Sequence, residues 1–292
     1  MFKVRCSMFS ALMKRLLPCL LLAASCAFAG DFSGPLGLQL YSLRETIKSD
    51  PVAALDQARA FGFKTAELYS SLPVEPEKLK PLLAERGLTA VSGHFDYNGM
   101  KKDLGAAVAA AQTLGLKYAG CAWIPHEVGN FGSADVQRAA ADFHTFGAAF
   151  QKAGIQFFYH VHGYEFRPVV EGMTATFFDE LAGATNPELV AFEMDVFWVV
   201  LPGADPVQLL EKYPTRWQLM HLKDIRKGAR TGVFTGQAPL TDDVALGTGM
   251  VDWPTLLRTA ARVGVKYYFI EDESPTVLDQ IPVSLKYLES LR

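Results

Sequence analysis

Val190-Ala191-Phe192-Glu193-Met194-Asp195 is an apolar, strand-like run that ends in a carboxylate, and Trp217-Gln218-Leu219-Met220-His221 is a second such run that ends in an imidazole. Between them lies Asp205-Pro206-Val207-Gln208-Leu209-Leu210-Glu211-Lys212-Tyr213. It has a capping carboxylate, a proline at the first helical position and apolar residues at helical spacing, so it reads as a helix joining two parallel strands. Asp195 and His221 then stand at neighbouring strand ends on one edge of one sheet. Taken singly, an Asp there is commonly a turn or cap residue and a His a satisfied polar group. Together on the catalytic edge of a barrel they suggest a divalent metal.

Outward from this unit the same alternation repeats. Strand-like runs at Leu36–Leu43, Thr65–Tyr69, Thr89–Phe95, Tyr118–Ile124, Ile155–His160 and Tyr267–Ile270 are each followed by helical patterns, the last of them Val277–Leu291. Steps such as Gly115-Leu116 and Gly264-Val265 are what a helix C-cap feeding a strand looks like. Eight strand-helix units predict a closed (β/α)8 TIM barrel of the α/β class, since an open doubly wound sheet usually has fewer strands and a Gly-rich loop after the first. Here Tyr41-Ser42-Leu43-Arg44-Glu45 stands in that place. The longest loop, roughly 226–253, falls between the last two strands at the catalytic edge, where such loops serve as lids.

The chain opens with Lys3, Arg5, Lys14 and Arg15, an apolar run from Leu16 to Ala24, and Ala27-Phe28-Ala29 before Gly30. These are the three parts of a secretory signal peptide, so residues 1–29 are expected to be removed and residues 30–292 to form the barrel domain in a periplasmic or secreted protein. Lipoprotein processing at Cys26 is the alternative. Three of the four cysteines lie in the leader, which leaves Cys121 without an intramolecular disulfide partner. Net charge is −3 with no basic block, which argues against nucleic acid as a partner. No later run suggests membrane insertion.

Histidine is scarce, six in all, and five of the six fall at expected strand ends; His144 is the exception. His160, Asp195, His221 and Glu271 come from four consecutive strands. They are candidate ligands for one divalent ion, and their mixed nitrogen and oxygen donors suit Mn, Co, Fe or Zn better than calcium. His94 and His162 are candidates for substrate contact or for supporting the ligands. Trp123 and Trp198, with Tyr41, offer apolar faces for a sugar ring.

Taken together, Tyr159-His160-Val161-His162 with Glu165-Phe166, Met194-Asp195-Val196-Phe197-Trp198, Gly203-Ala204-Asp205-Pro206, His221-Leu222-Lys223-Asp224, Gly247-Thr248-Gly249-Met250-Val251-Asp252-Trp253 and Ile270-Glu271 resemble the sugar phosphate isomerase/epimerase superfamily, the xylose-isomerase-like barrels. The resemblance spans essentially the whole mature chain. It implies a metal held by a Glu, an Asp, a His and a Glu on successive strands. The last three match Asp195, His221 and Glu271, whereas the first falls at His160. In the ketose 3-epimerases of this superfamily the two metal-bound glutamates are the acid/base pair. With one replaced by His160, Glu165, which matches a substrate-contacting glutamate of those enzymes, is the candidate to take its role, beside Glu271 and with Lys223 as a further catalytic candidate. The implied chemistry is proton abstraction next to a carbonyl through an enediolate, on a small carbohydrate. A metal-dependent sugar isomerase/epimerase is expected, with a lyase or hydratase acting on a keto-sugar or keto-glycoside as the alternative. A non-catalytic periplasmic sugar-binding protein is a further reading; an abasic-site endonuclease would need a basic surface.

Overall fold

The computed structural model describes residues 32–292, so the expected leader lies outside the described residues. Among the described residues ten strands are formed: β1 Leu36–Gln39, β2 Thr65–Leu68, β3 Thr89–His94, β4 Tyr118–Cys121, β5 Gln156–His160, β6 Val190–Asp195, β7 Trp217–Leu222, β8 Asp224–Ile225, β9 Asp243–Val244 and β10 Tyr267–Ile270. Eight of them close a parallel barrel in the order β1-β10-β7-β6-β5-β4-β3-β2, the (β/α)8 architecture the alternating pattern predicts. The remaining two, β8 and β9, form an antiparallel ribbon beside it. The segment after β7, expected as a plain long loop, is therefore partly ordered by its own backbone pairing.

Helices begin where short polar side chains supply the acceptors that free backbone N–H groups need. Asp205 Oδ1 accepts from Val207 N and Gln208 N, with Pro206 next in line, and Asp50 accepts from Ala53 N ahead of Pro51. Each such cap contributes about 1 kcal/mol. Gly115 and Gly264 close their helices in the left-handed region, at φ 77° and 91°, where a Cβ is strained.

Side-chain alternation divides each strand between two cores. On β6, Val190, Phe192 and Met194 pack outward with the helices, whereas Ala191 turns into the barrel beside Val91, Phe158, Leu219 and Phe269. That inner group plugs the barrel. Gly37 and Gly120 leave room for it, because a Cβ at either would lie within 2.7 Å of the Phe269 or Phe158 ring. Two residues further along each strand the inward positions become polar: Glu193 above Ala191, His160 above Phe158, His221 above Leu219 and Glu271 above Phe269. Two further still they are Asp195, His162, Lys223 and Glu273.

Candidate functional site

The register Asp195↔His221 across β6 and β7 sets the two strand-end residues side by side. His160 Nε2 lies 3.2 Å from His221 Nδ1 and 3.5 Å from Asp195 Oδ2, and Glu271 Oε2 lies 3.2 Å from His221 Nδ1. All four donors fall within 4.8 Å of one another and are buried. Around a four-coordinate ion with bonds of about 2.0–2.2 Å, donors stand about 3.4 Å apart. Hydrogen bonds alone leave the group incomplete: two imidazole nitrogens face each other with room for one hydrogen, and Asp195 Oδ2 is buried without a partner. The four side chains thus come together, and their donor set fits one divalent cation.

Beneath it lies a second polar layer. His221 Nε2 meets Glu67 Oε1 at 2.5 Å, Gln39 Nε2 donates to the same oxygen at 2.7 Å, and His94 Nε2 lies 2.9 Å from Glu193 Oε2 and 3.3 Å from Glu67 Oε1. Glu67, His94, Glu193 and His221 also cluster closely enough to suggest an ion. However, a 2.5 Å separation is that of a charge-assisted hydrogen bond, shorter than two donors adopt around a shared cation. We read this layer as support: Glu67 holds the hydrogen of His221 on Nε2 and leaves Nδ1 free to ligate. His94, expected at the substrate, is anchored between Glu67 and Glu193 and shows one side to the cavity. Burial opposes its charge, but Glu67 and Glu193 outweigh burial and raise its imidazole to about 9.

Above the four donors opens a cavity of about 490 Å³, with residues 236–240 of the excursion forming part of its wall. Lys223, Glu271, Glu273 and Asp243 lie on its β7–β10 side. Lys223 Nζ donates to Glu271 Oε2 at 3.2 Å and to Glu273 Oε1, and stands 4.0 Å from Asp195 Oδ2. Burial pushes the Glu271 carboxyl up, but Lys223 and His221 draw it down to about 2. Burial likewise raises Asp195, and Lys223 with the two imidazoles holds it well below the usual carboxylate range. On the β5 side His162 stacks on Trp198 at 4.7 Å, and its Nδ1 donates to the Ala122 carbonyl at 3.0 Å, leaving Nε2 as an acceptor. Burial, with His160 beside it, pushes this imidazole down to about 3, so it is neutral.

Two expected site residues lie elsewhere. Glu165 does not line the cavity: its Oε1 accepts from Tyr159 Oη at 3.0 Å and from His162 N at 2.8 Å, behind the β5 strand end. The turn at Tyr164–Phe166, entered through Gly163 at φ 95°, folds it back into the protein. Its burial raises the carboxyl to about 7, and there it holds the His162 backbone, off the cavity lining. Trp123 is also set off the cavity lining, stacked on His126 at 4.8 Å and covered by Gly236, where a Cβ would lie 2.8 Å from the indole. Glu193, Glu273 and Asp243 were not among the sequence candidates. Parity exposes the first two, since each stands two residues from a ligand on the same strand face. No local pattern marks Asp243.

A parallel barrel whose buried His/Asp/Glu group could hold a cation, at the C-terminal rim and beside the excursion after β7, carries its candidate site where barrels of this architecture carry their active sites. Residues 55–291 match the family described as xylose isomerase-like TIM barrel, and the chain belongs to that family. An inosose dehydratase of Lacticaseibacillus casei is 23% identical over 270 residues, covering 80% of this chain and 86% of that protein. Inosose dehydratase 2 of Bacillus cereus is 26% identical over 253 residues, covering 77% and 83%. Among solved structures, a sugar phosphate isomerase/epimerase from Parabacteroides distasonis superposes with a TM-score of 0.73 at 24% identity, covering 87% of this chain and 97% of that one. The IolI protein, which carries a bound zinc atom, superposes with a TM-score of 0.65 at 14% identity, covering 88% and 96%. The homologues are sugar isomerase/epimerase and dehydratase enzymes, and no helix among the described residues is long and apolar enough to cross a membrane.

Proposed function

We propose that this protein is a metal-dependent lyase that removes a hydrogen next to the carbonyl of a keto-polyol or keto-sugar and then expels a β-oxygen. The observation that carries this reading is the one-sided placement of the cavity's carboxylates: Glu271, Glu273 and Asp243 all lie on the β7–β10 side. An epimerase must take a proton from one face of the enediolate and return one to the other. On the β5 side stands neutral His162, a poor proton donor, and among the described residues no carboxylate lines the cavity there. A syn elimination, with base and acid on one face, needs chemistry on one side only. The similarity to inosose dehydratases supports the same reading.

His160, Asp195, His221 and Glu271 would hold the cation, which when bound supplies an electrophile for the substrate carbonyl. Glu271 Oε2 faces His221 and Lys223, whereas Oε1 makes neither contact and would accept the α-hydrogen. Its low proton affinity suffices because the polarised carbonyl acidifies that hydrogen. Lys223 balances the Glu271 and Glu273 charges, His162 Nε2 accepts a substrate hydroxyl, and the Trp198 indole supplies an apolar flank.

The test is incubation of Mn-, Co- and Zn-loaded protein with an inosose in deuterated water, followed by NMR. Loss of water together with α-deuteration is expected. Accumulation of a deuterated epimer that keeps its hydroxyls would make the protein an isomerase instead, and no exchange with any of the three ions would remove the enolisation reading.

A further inference from the structure

In the excursion that crosses the cavity, β9 pairs antiparallel with β8, placing Asp243 opposite Ile225, and two successive acids part company there. Asp242 turns to Arg226 at 2.6 Å, whereas Asp243 turns inward and lines the cavity. Asp243 Oδ2 accepts the Glu273 N–H at 2.6 Å, and Oδ1 is buried with no partner. The charged groups facing it are Lys223, Asp272 and Glu273. Lys223 is already engaged by Glu271 and Glu273, and Asp272 Oδ1 takes the Ser274 N–H.

Ionised, Asp243 would hold a bare buried oxygen beside two further acids, with its nearest cation committed elsewhere. Protonated, it carries its hydrogen on Oδ1, because Oδ2 already faces an N–H donor. The direction of its acidity agrees: burial pushes the carboxyl well above its usual range, Lys223 opposes, and Asp272 reinforces the rise.

We propose that Asp243 is the general acid of the elimination, a catalytic residue that gives its Oδ1 hydrogen to the departing β-oxygen. This rests on the lyase reading above. The step balances without any oxidant. Glu271 takes the α-hydrogen, the C–H pair becomes the enolate, and that pair forms the new Cα–Cβ double bond as the Cβ–O bond breaks. The oxygen leaves as water with the hydrogen from Asp243. Return of one proton from Glu271 to Asp243 through solvent restores both groups.

The experiment compares metal-loaded wild type with Asp243→Asn, which keeps an acceptor for the Glu273 N–H. Three quantities are read: metal content, α-hydrogen exchange with deuterated water, and elimination from an inosose and from its analogue bearing fluorine in place of the β-hydroxyl. Fluoride leaves without a proton donor. The expected result is unchanged metal content and exchange, elimination of water lowered about 100-fold or more, and elimination of fluoride within a few-fold of wild type. Asp243→Ser carries the same expectation should the amide disturb the fold, with bound metal and retained exchange as the marker of an intact site. Wild-type water elimination in both variants, or an equal loss for water and fluoride, would overturn the acid role. Absence of exchange in the wild type would overturn the enolisation reading and the acid role with it.

Discussion

His221 has both ring nitrogens committed: Nε2 to Glu67 below, Nδ1 to the ligand group above. Without an ion, burial opposes its charge, but Glu193, Glu271 and Glu67 hold its imidazole well above the ordinary histidine range. The ion-free protein therefore gains stability from charged His221, fully present below the usual histidine pKa and lost as pH rises through the raised value. Ion binding must displace the Nδ1 proton. Affinity is accordingly expected to rise with pH by up to about tenfold per unit below that raised value, with one proton from His221 released per ion, measurable by calorimetry in buffers of different ionisation enthalpy. His221→Ala should lose about 100-fold or more in affinity, and Glu67→Gln, which keeps an acceptor but removes the charge behind Nε2, about 10-fold. Wild-type ion content in dialysed His221→Ala would remove this residue from the ligand group.

At the scale of elements, the excursion after β7 is clasped by a single carboxylate. Asp224 accepts from Ile225 N, Gly247 N, Gly249 N, Val251 N and the Trp253 indole, at 2.9–3.3 Å. Gly249 allows the approach, since a Cβ there would overlap both the Asp224 carboxylate and the Ile225 carbonyl oxygen. Gly249→Ala is expected to cost about 1–3 kcal/mol and to open the excursion. Limited proteolysis should then cut within 226–250 before the barrel unfolds; resistance equal to wild type would mean that the clasp does not hold the roof. The Asp224 and Gly247–Trp253 motifs were visible in the sequence, but their meeting was not, because it depends on a β8–β9 ribbon of two residues per strand, too short to leave a periodic signal. The same limit explains the rest. Strand ends follow from period and caps, so His160, Asp195, His221 and Glu271 were readable along the chain. Glu165 was misplaced because its direction depends on the backbone turn at Gly163, and Asp243 was missed because an excursion, not a strand end, delivers it.

The molecule as a whole joins the site to the stability of the barrel. The plug of Val91, Phe158, Ala191, Leu219 and Phe269 is the floor on which the Glu67–His94–Glu193–His221 layer rests, and that layer positions the ligand group. Four carboxylates, Glu67, Glu193, Asp195 and Glu271, are buried within these two layers, so without an ion the barrel holds concentrated negative charge that His94, His221 and Lys223 must offset. An ion bound only by the folded state stabilises it by about 2.7 kcal/mol at a free concentration about 100 times its Kd. For a domain of this size each kcal/mol shifts the melting temperature by about 2–4 °C, so saturation with Mn, Co or Zn should raise Tm by about 5–10 °C over chelator-treated protein. Because the ligands come from four strands, β5, β6, β7 and β10, the gain should appear in the cooperative unfolding of the whole barrel rather than in a separate early transition. In His221→Ala the gain should vanish while the chelator-treated baseline remains measurable. An equal rise in that variant would place the stabilising ion at some other site and leave the four-residue group without its assigned occupant.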